Sequence, residues 1–139
     1  MADFYAHIRD DKECDFIQHQ TLEDHVKHAA SYAADYLSGM GIRDVGFLAG
    51  ICHDAGKYKM EYQNYLLSEE KKRGSVNHSF AGCRLLLEKF HGDRVESYED
   101  LTAEILAYAV GAHHGLFDCV NMDHVMGFDY RQTKEGIFY

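Results

Sequence analysis

Residues 50–66 read GICHDAGKYKMEYQNYL. Upstream of it and into it, Val45, Leu48, Ala49 and Cys52 recur at the spacing of one apolar helical stripe, which predicts a helix from Asp44 to Asp54. Gly56 suits the turn that ends this helix, and a more polar helix is predicted from about Tyr58 to Glu70. The pair His53-Asp54 therefore falls at a helix end. Consecutive helical residues point about 100° apart, so the pair can present an imidazole and a carboxylate to neighbouring positions of one pocket. Lys57, three residues after Asp54, can set a cation beside the same pocket. Its plainer reading is a lysine that satisfies a helix C-terminal dipole.

Helical periodicity continues on both sides. Thr21 with Asp24 three residues later resembles a capping box, and Val26, Ala30, Ala33 and Leu37 form a stripe that ends before Gly39 and Gly41. After a basic turn at Lys71, Lys72 and Arg73, a helix is predicted from Asn77 to Phe90, with Phe80, Cys83, Leu87 and Phe90 on one face. The next starts after Ser97 and runs to His113. Leu101, Ile105, Tyr108 and Ala112 make one stripe and Leu106, Ala109 and Val110 another, so this helix is expected to lie centrally. No proline interrupts the chain, and no run alternates convincingly as a strand. The expectation is an all-α bundle of about five main helices in one domain, residues 1–139. From Gly115 the periodicity fades, and the sequence ends without a polar taper. That ending predicts a domain cut from the N-terminal part of a longer protein.

Composition narrows the function. At 139 residues and 46% hydrophobic, one globular domain with a real core is expected. No apolar run approaches the ~18 residues of a membrane span, and MADFYAHIRDDKE is too polar for a signal peptide. Cys14, Cys52, Cys83 and Cys119 are widely spaced with no C-x-x-C pair, which argues for reduced thiols, a cytoplasmic location and no structural zinc at the cysteines. The net charge of −9 excludes nucleic-acid binding through the bulk field. If the substrate is DNA or RNA, bound cations or a basic partner must offset that charge locally.

The ten histidines are not scattered evenly. His25 opens the first long helix, His53-Asp54 ends the second, His78 opens the fourth, and His113-His114 closes the fifth. Any one of these is a weak signal, because a lone His-Asp or His-His is more often a satisfied helix-end pair. The ordered set is stronger: helix ends of a bundle can converge, and imidazoles with a carboxylate suit Zn, Mn, Fe or Ni. A carboxylate has two acceptor oxygens and can bridge two cations, and two cations about 3.5–4 Å apart are one way to cleave phosphoesters. Either His25 or His28 can be the ligand on the first helix. His7, His19, His91 and His124 read as surface histidines without a role.

At these residues the chain resembles a known family. GICHDAGKYKMEYQNYL looks like the H-D-x-G-K segment of the HD superfamily, in the version found in the HD nuclease domain of Cas3, the CRISPR-associated effector of type I systems. QTLEDHVKHAA resembles its first helix, VNHSFAGCRLLL its H-S-x-x-G segment, and VGAHHGLFD its double-histidine segment. The resemblance covers nearly the whole chain. It implies an HD-type helical bundle, a site for one or two divalent metal ions (Mn, Mg, Ni, Fe, Co or Zn), and endonuclease and exonuclease action on single-stranded DNA. It further implies a helicase, fused or separate, and an RNA-guided Cascade-type surveillance complex as partners. Carried over by position, one metal would take His25, His53 and Asp54, and the other Asp54, His78, His113 and His114. Asp54 and Lys57 would be the catalytic residues, with Lys57 stabilising phosphate charge. The sequence departs from the family in one respect: the later aspartate of an S-x-x-x-D-A-D-like segment is missing, and Asp118, Asp123 and Asp129 lie too early to replace it. The first site is therefore expected to be a ligand short and nuclease activity weak. The alternative enzyme is a nucleotide or cyclic-nucleotide phosphohydrolase of the same superfamily; a degenerate HD module serving as an assembly surface is the non-enzymatic alternative.

Overall fold

The structure, a computed structural model, describes residues 3–11, 16–68, 76, 78–115 and 127–133. A two-stranded antiparallel hairpin, β1 (Tyr5–Asp11) and β2 (Phe16–Thr21), leads directly into α1 (Leu22–Ser38). Then follow α2 (Arg43–Cys52), a 3-10 turn (Ala55–Tyr58), α3 (Met60–Leu67), α4 (Ser79–Phe90), α5 (Tyr98–Gly111) and the short α6 (Phe128–Thr133). The expected helical bundle is present, and the hairpin and α6 add to it.

Local chemistry explains the boundaries. Thr21 caps α1 by accepting from the Asp24 amide at 3.2 Å. Ser97 and Asp100 form a full capping box at the start of α5, and Asp100 also accepts from the Gly92 amide at 2.8 Å, closing the loop behind α4. The polar helix predicted from Tyr58 to Glu70 is shorter: the Ala55–Tyr58 turn precedes it, and α3 ends at Leu67.

α1 and α2 lie side by side, with Gly46 and Gly50 set directly against the backbone at Ala33 and Ala30. The largest apolar cluster joins Cys52 at the end of α2 to Phe80, Cys83 and Leu86 of α4 and Leu106, Ala107 and Val110 of α5. Phe128 of α6 covers this cluster, with its ring 6.0 Å from Phe80 and 5.4 Å from Tyr108. A smaller cluster of Ala6, Leu22 and Val26 seats the hairpin on α1. α5 is less central than its two stripes suggest. Ala103, Leu106, Ala107 and Val110 are buried, and Tyr108 and Ala112 pack against the same cluster, while Leu101 and Ile105 are 43% and 61% exposed and Ala109 is exposed, so each stripe packs only in part. No helix among the described residues is long and apolar enough to cross a membrane.

The hairpin escaped the periodicity reading for a physical reason. Its strands carry polar residues on both faces, so no apolar alternation announces them. They are held instead from outside, by the buried side chain of Gln63 in α3. Gln63 Oε1 accepts from the Tyr5 amide at 2.9 Å, and its Nε2 donates to the Tyr5 carbonyl at 3.0 Å and the Lys57 carbonyl at 2.7 Å. The amide thereby pairs β1 as a neighbouring strand would.

Candidate metal centre

The helix ends converge on Asp54. Its side chain is 2% exposed, and the end of α2 presents its carboxylate inward. Oδ2 lies 2.9 Å from His25 Nε2, 3.1 Å from His53 Nε2 and 2.9 Å from Lys57 Nζ. Oδ1 faces His78 Nε2 at 3.5 Å and His113 Nε2 at 3.6 Å. His114 completes that side, with its Nε2 2.8 Å from the Nε2 of His78. Two groups thus place their ligand atoms within 4.8 Å of one another: His25, His53 and Asp54, and Asp54, His78, His113 and His114. The structure brings His25, His53, His78, His113 and His114 together around Asp54.

Backbone contacts aim the rings. His53 Nδ1 lies 2.7 Å from the Gly50 carbonyl and His113 Nδ1 2.6 Å from the Val110 carbonyl. A carbonyl only accepts, so Nδ1 carries a proton, which leaves Nε2 as the nitrogen that a metal would take. Gly56 sets the position of His78: a Cβ there would stand 2.4 Å from the His78 carbonyl oxygen, so only glycine lets the turn after Asp54 meet the start of α4.

The electrostatics are those of a site built for a cation. Burial alone would raise the Asp54 pKa, but His113, His53 and Lys57 outweigh it and hold the carboxyl far below the usual carboxylate range. Burial lowers His25 and His114, and it pushes His78 down to about 4 against the attraction of Asp54. His53 moves up, because its hydrogen bonds to Asp54 and Gly50 outweigh its burial. The ring nitrogens crowd one ionised carboxylate and one another. His25 Nε2 and His53 Nε2 are 3.1 Å apart while both approach Asp54 Oδ2, and His78 Nε2 faces His114 Nε2. Asp54 Oδ1, His78 Nδ1 and His113 Nε2 are buried without a hydrogen-bond partner. Such an arrangement is costly unless a cation fills it. The residues present fit a divalent metal with nitrogen and oxygen ligands.

Lys57 does not end a helix in solvent. It is 2% exposed, ion-paired to Asp54, and 5.7 Å from the Tyr62 ring centroid. Its Nζ also donates to the Ala6 carbonyl at 3.4 Å. Tyr62 walls the other side, its ring 4.8 Å from that of His78 and its phenol pushed up to about 12 by burial.

Sequence reasoning missed two contributors. His7, read as a surface residue, is exposed but sets its ring edge-on to His25 at 4.9 Å. Gln63, given no role from the sequence, ties Lys57 to the hairpin through three hydrogen bonds. His28 stays outside the cluster, which decides between the two α1 histidines in favour of His25. His91 pairs with Glu104 at 3.1 Å, away from the centre. Cys52 and Cys83 are both buried in the core. Lys71, Lys72, Arg73, Asp118, Asp123, His124, Cys14 and Cys119 lie outside the described residues, as does the side chain of Asp129.

Comparison with known proteins agrees with this geometry. A family model described as HD domain matches residues 22–125. No curated protein matches the sequence.

Proposed function

The chain belongs to the HD domain family of metal-dependent phosphohydrolases, and on that premise we propose that it is a single-stranded DNA nuclease of the Cas3 HD type. It would act in CRISPR interference, on a strand delivered by a helicase, fused or separate, that an RNA-guided Cascade-type surveillance complex recruits. The observation that carries the hydrolase part is the position of Asp54, whose two oxygens face two separate groups of imidazoles. The nuclease part rests on the resemblance of the H-D-x-G-K, H-S-x-x-G and double-histidine segments taken in order.

His25 and His53 with Asp54 would hold one divalent ion, and His78, His113 and His114 with Asp54 a second. When bound, such ions supply Lewis acidity at a phosphoryl oxygen and lower the pKa of water at the site. The chain's own residues do the rest. Lys57 keeps Asp54 ionised and fixes the carboxylate between the two groups. The Gly50 and Val110 carbonyls hold His53 and His113 in the required tautomer. Tyr62 and Gln63 close the base of the site, so a phosphodiester must approach from the side of His7 and His114, which are exposed.

The test is cleavage of circular single-stranded DNA with Mn²⁺. Nicking and degradation of the circle, lost in Asp54→Asn and on chelation, are expected. An intact circle beside rapid hydrolysis of a nucleotide or cyclic nucleotide would overturn the nuclease reading. A reading frame that continues into, or neighbours, a helicase would support the partner assignment.

A further inference from the structure

The hairpin does more than cover the core. Its register shifts between Tyr5 and His7: Tyr5 pairs with Thr21 and His7 with Gln20, so Ala6 is an extra residue in β1. A bulge of this kind leaves one residue out of the ladder and re-aims the next side chain. Both consequences are visible here. The Ala6 carbonyl, freed from the ladder, accepts from Lys57 Nζ, and His7 is turned against His25. From His7 onward the pairing is regular, with His7 opposite Gln20 and Arg9 opposite Gln18. Cross-strand partners share a face, so these four side chains form one polar face that begins at the metal centre.

That face, with His28 of α1, lines a groove of about 550 Å³. His7, Arg9, Gln18, Gln20 and His28 are all exposed, so the groove is open along its length. Small-molecule pockets bury their ligand against apolar and aromatic walls. This groove instead offers guanidinium, imidazole and amide donors, the groups that contact phosphate and sugar along a nucleic-acid backbone. Among the described residues its one carboxylate, Asp24, already accepts from the Thr21 hydroxyl at 2.7 Å. In a chain of net charge −9, the described lining sets one guanidinium, Arg9, against one carboxylate, Asp24, next to the metal centre.

We propose that the hairpin face is a substrate track: it binds the phosphates flanking the scissile one, so the substrate is an extended single strand and not a mononucleotide. Side chains on one face of a strand repeat every about 6.6 Å, comparable to the step between phosphates of an extended strand. His7 stands at the end near the cleavage site, and Arg9 and Gln18 lie one step outward. The proposal rests on the nuclease reading and adds the site that selects for length.

The test compares a 20-nucleotide oligothymidylate with bis(p-nitrophenyl) phosphate, a small diester that needs only the metal centre, using the full chain and Mn²⁺. Arg9→Ala should raise KM for the oligonucleotide about five- to tenfold with little change in kcat. It should also reduce the salt slope of binding by about 0.7, the value for one phosphate contact on a single strand. Gln18→Lys should move both quantities the other way, which keeps the test decisive if Arg9→Ala misfolds. The ratio of oligonucleotide to small-diester kcat/KM should fall in the first variant and rise in the second. Wild-type cleavage of the oligonucleotide with unchanged KM and salt slope in both variants would overturn the track and leave the nuclease reading standing. Equal losses on both substrates would also overturn it, because Arg9 would then act through the fold. Small-diester hydrolysis without any oligonucleotide cleavage by the wild type would overturn the nuclease reading itself.

Discussion

The two oxygens of Asp54 live in different surroundings. Oδ2 is crowded: His25, His53 and Lys57 all stand within 3.1 Å of it, and Lys57 supplies a full positive charge there. Oδ1 has only the longer approaches of His78 and His113 at 3.5 and 3.6 Å and no hydrogen bond. One side is therefore an internal ion pair that also touches a metal group, and the other is an open ligand. A cation entering beside His25 and His53 must compete with Lys57 for Oδ2. A cation entering beside His78, His113 and His114 meets four donor groups, with the Lys57 ammonium paired to the other oxygen. The same carboxylate thus favours the second group.

The largest effect should follow from removing what both sides share. Asp54→Asn is expected to abolish binding of both metal ions and to lower cleavage by at least about 10³-fold, roughly 4 kcal/mol in the barrier. Elemental analysis and turnover on circular DNA would check it, and retention of either ion at full affinity would refute the bridging role. From sequence alone, Asp54→Ala should leave the fold largely intact. The burial of Lys57 changes that expectation, since an unpaired buried ammonium costs about 3–5 kcal/mol. Asn keeps an amide oxygen that can accept from Lys57, so Asp54→Ala should unfold at lower temperature than Asp54→Asn.

Single-histidine variants separate the sides. His113→Ala should remove the tighter of the two Mn²⁺ binding events in a calorimetric titration, and His25→Ala the weaker. Loss of the same event in both would mean one shared site, and the asymmetry would fail. Lys57→Met then sharpens the comparison. The metal-free protein should lose about 3–5 kcal/mol of stability, because Asp54 keeps its charge without its cation. Mn²⁺ should raise the Tm of this variant more than that of the wild type, as the ion takes over the place of the ammonium. An equal rise in both would show that Lys57 and metal do not compete.

This asymmetry was only partly legible in the sequence. The helices were legible because their apolar residues keep a helical period, and α1, α2, α4 and α5 begin and end within a few residues of their expected bounds. The histidine set was legible because each member flanks a helix end, where a bundle gathers side chains. The hairpin was not, because its strands lack apolar alternation and part of its support comes from Gln63, a residue 58 positions from Tyr5. For the same reason His7 looked like a surface histidine: only the extra residue at Ala6 turns it toward His25, and a bulge leaves no periodic mark in a strand this short and polar. The burial of Lys57 was equally hidden, since it depends on the Ala6 carbonyl and Asp54 meeting across 48 residues of chain.

Gln63 gives the smallest effect and the finest test, because it touches neither metal group and reaches only one side of Asp54. Its amide spans the Tyr5 backbone and the Lys57 carbonyl, so the crowded side is tied to the hairpin and the open side is not. In Gln63→Leu the leucine fills much of the volume but leaves those backbone groups without partners. Each buried orphan costs about 1–3 kcal/mol, and detachment of the hairpin into water would relieve part of that cost. A net loss of about 1–3 kcal/mol is expected, with faster amide exchange at Tyr5 and along β1. The weaker Mn²⁺ event should weaken further, since Lys57 and His7 lose their support, while the tighter event on the side of His78 and His113 stays. Unchanged exchange in β1 would show that the hairpin is held by the Ala6, Leu22 and Val26 cluster alone. Equal weakening of both events would show that Gln63 supports the whole base of the site, and the division between the two oxygens of Asp54 would then be one of distance and not of attachment.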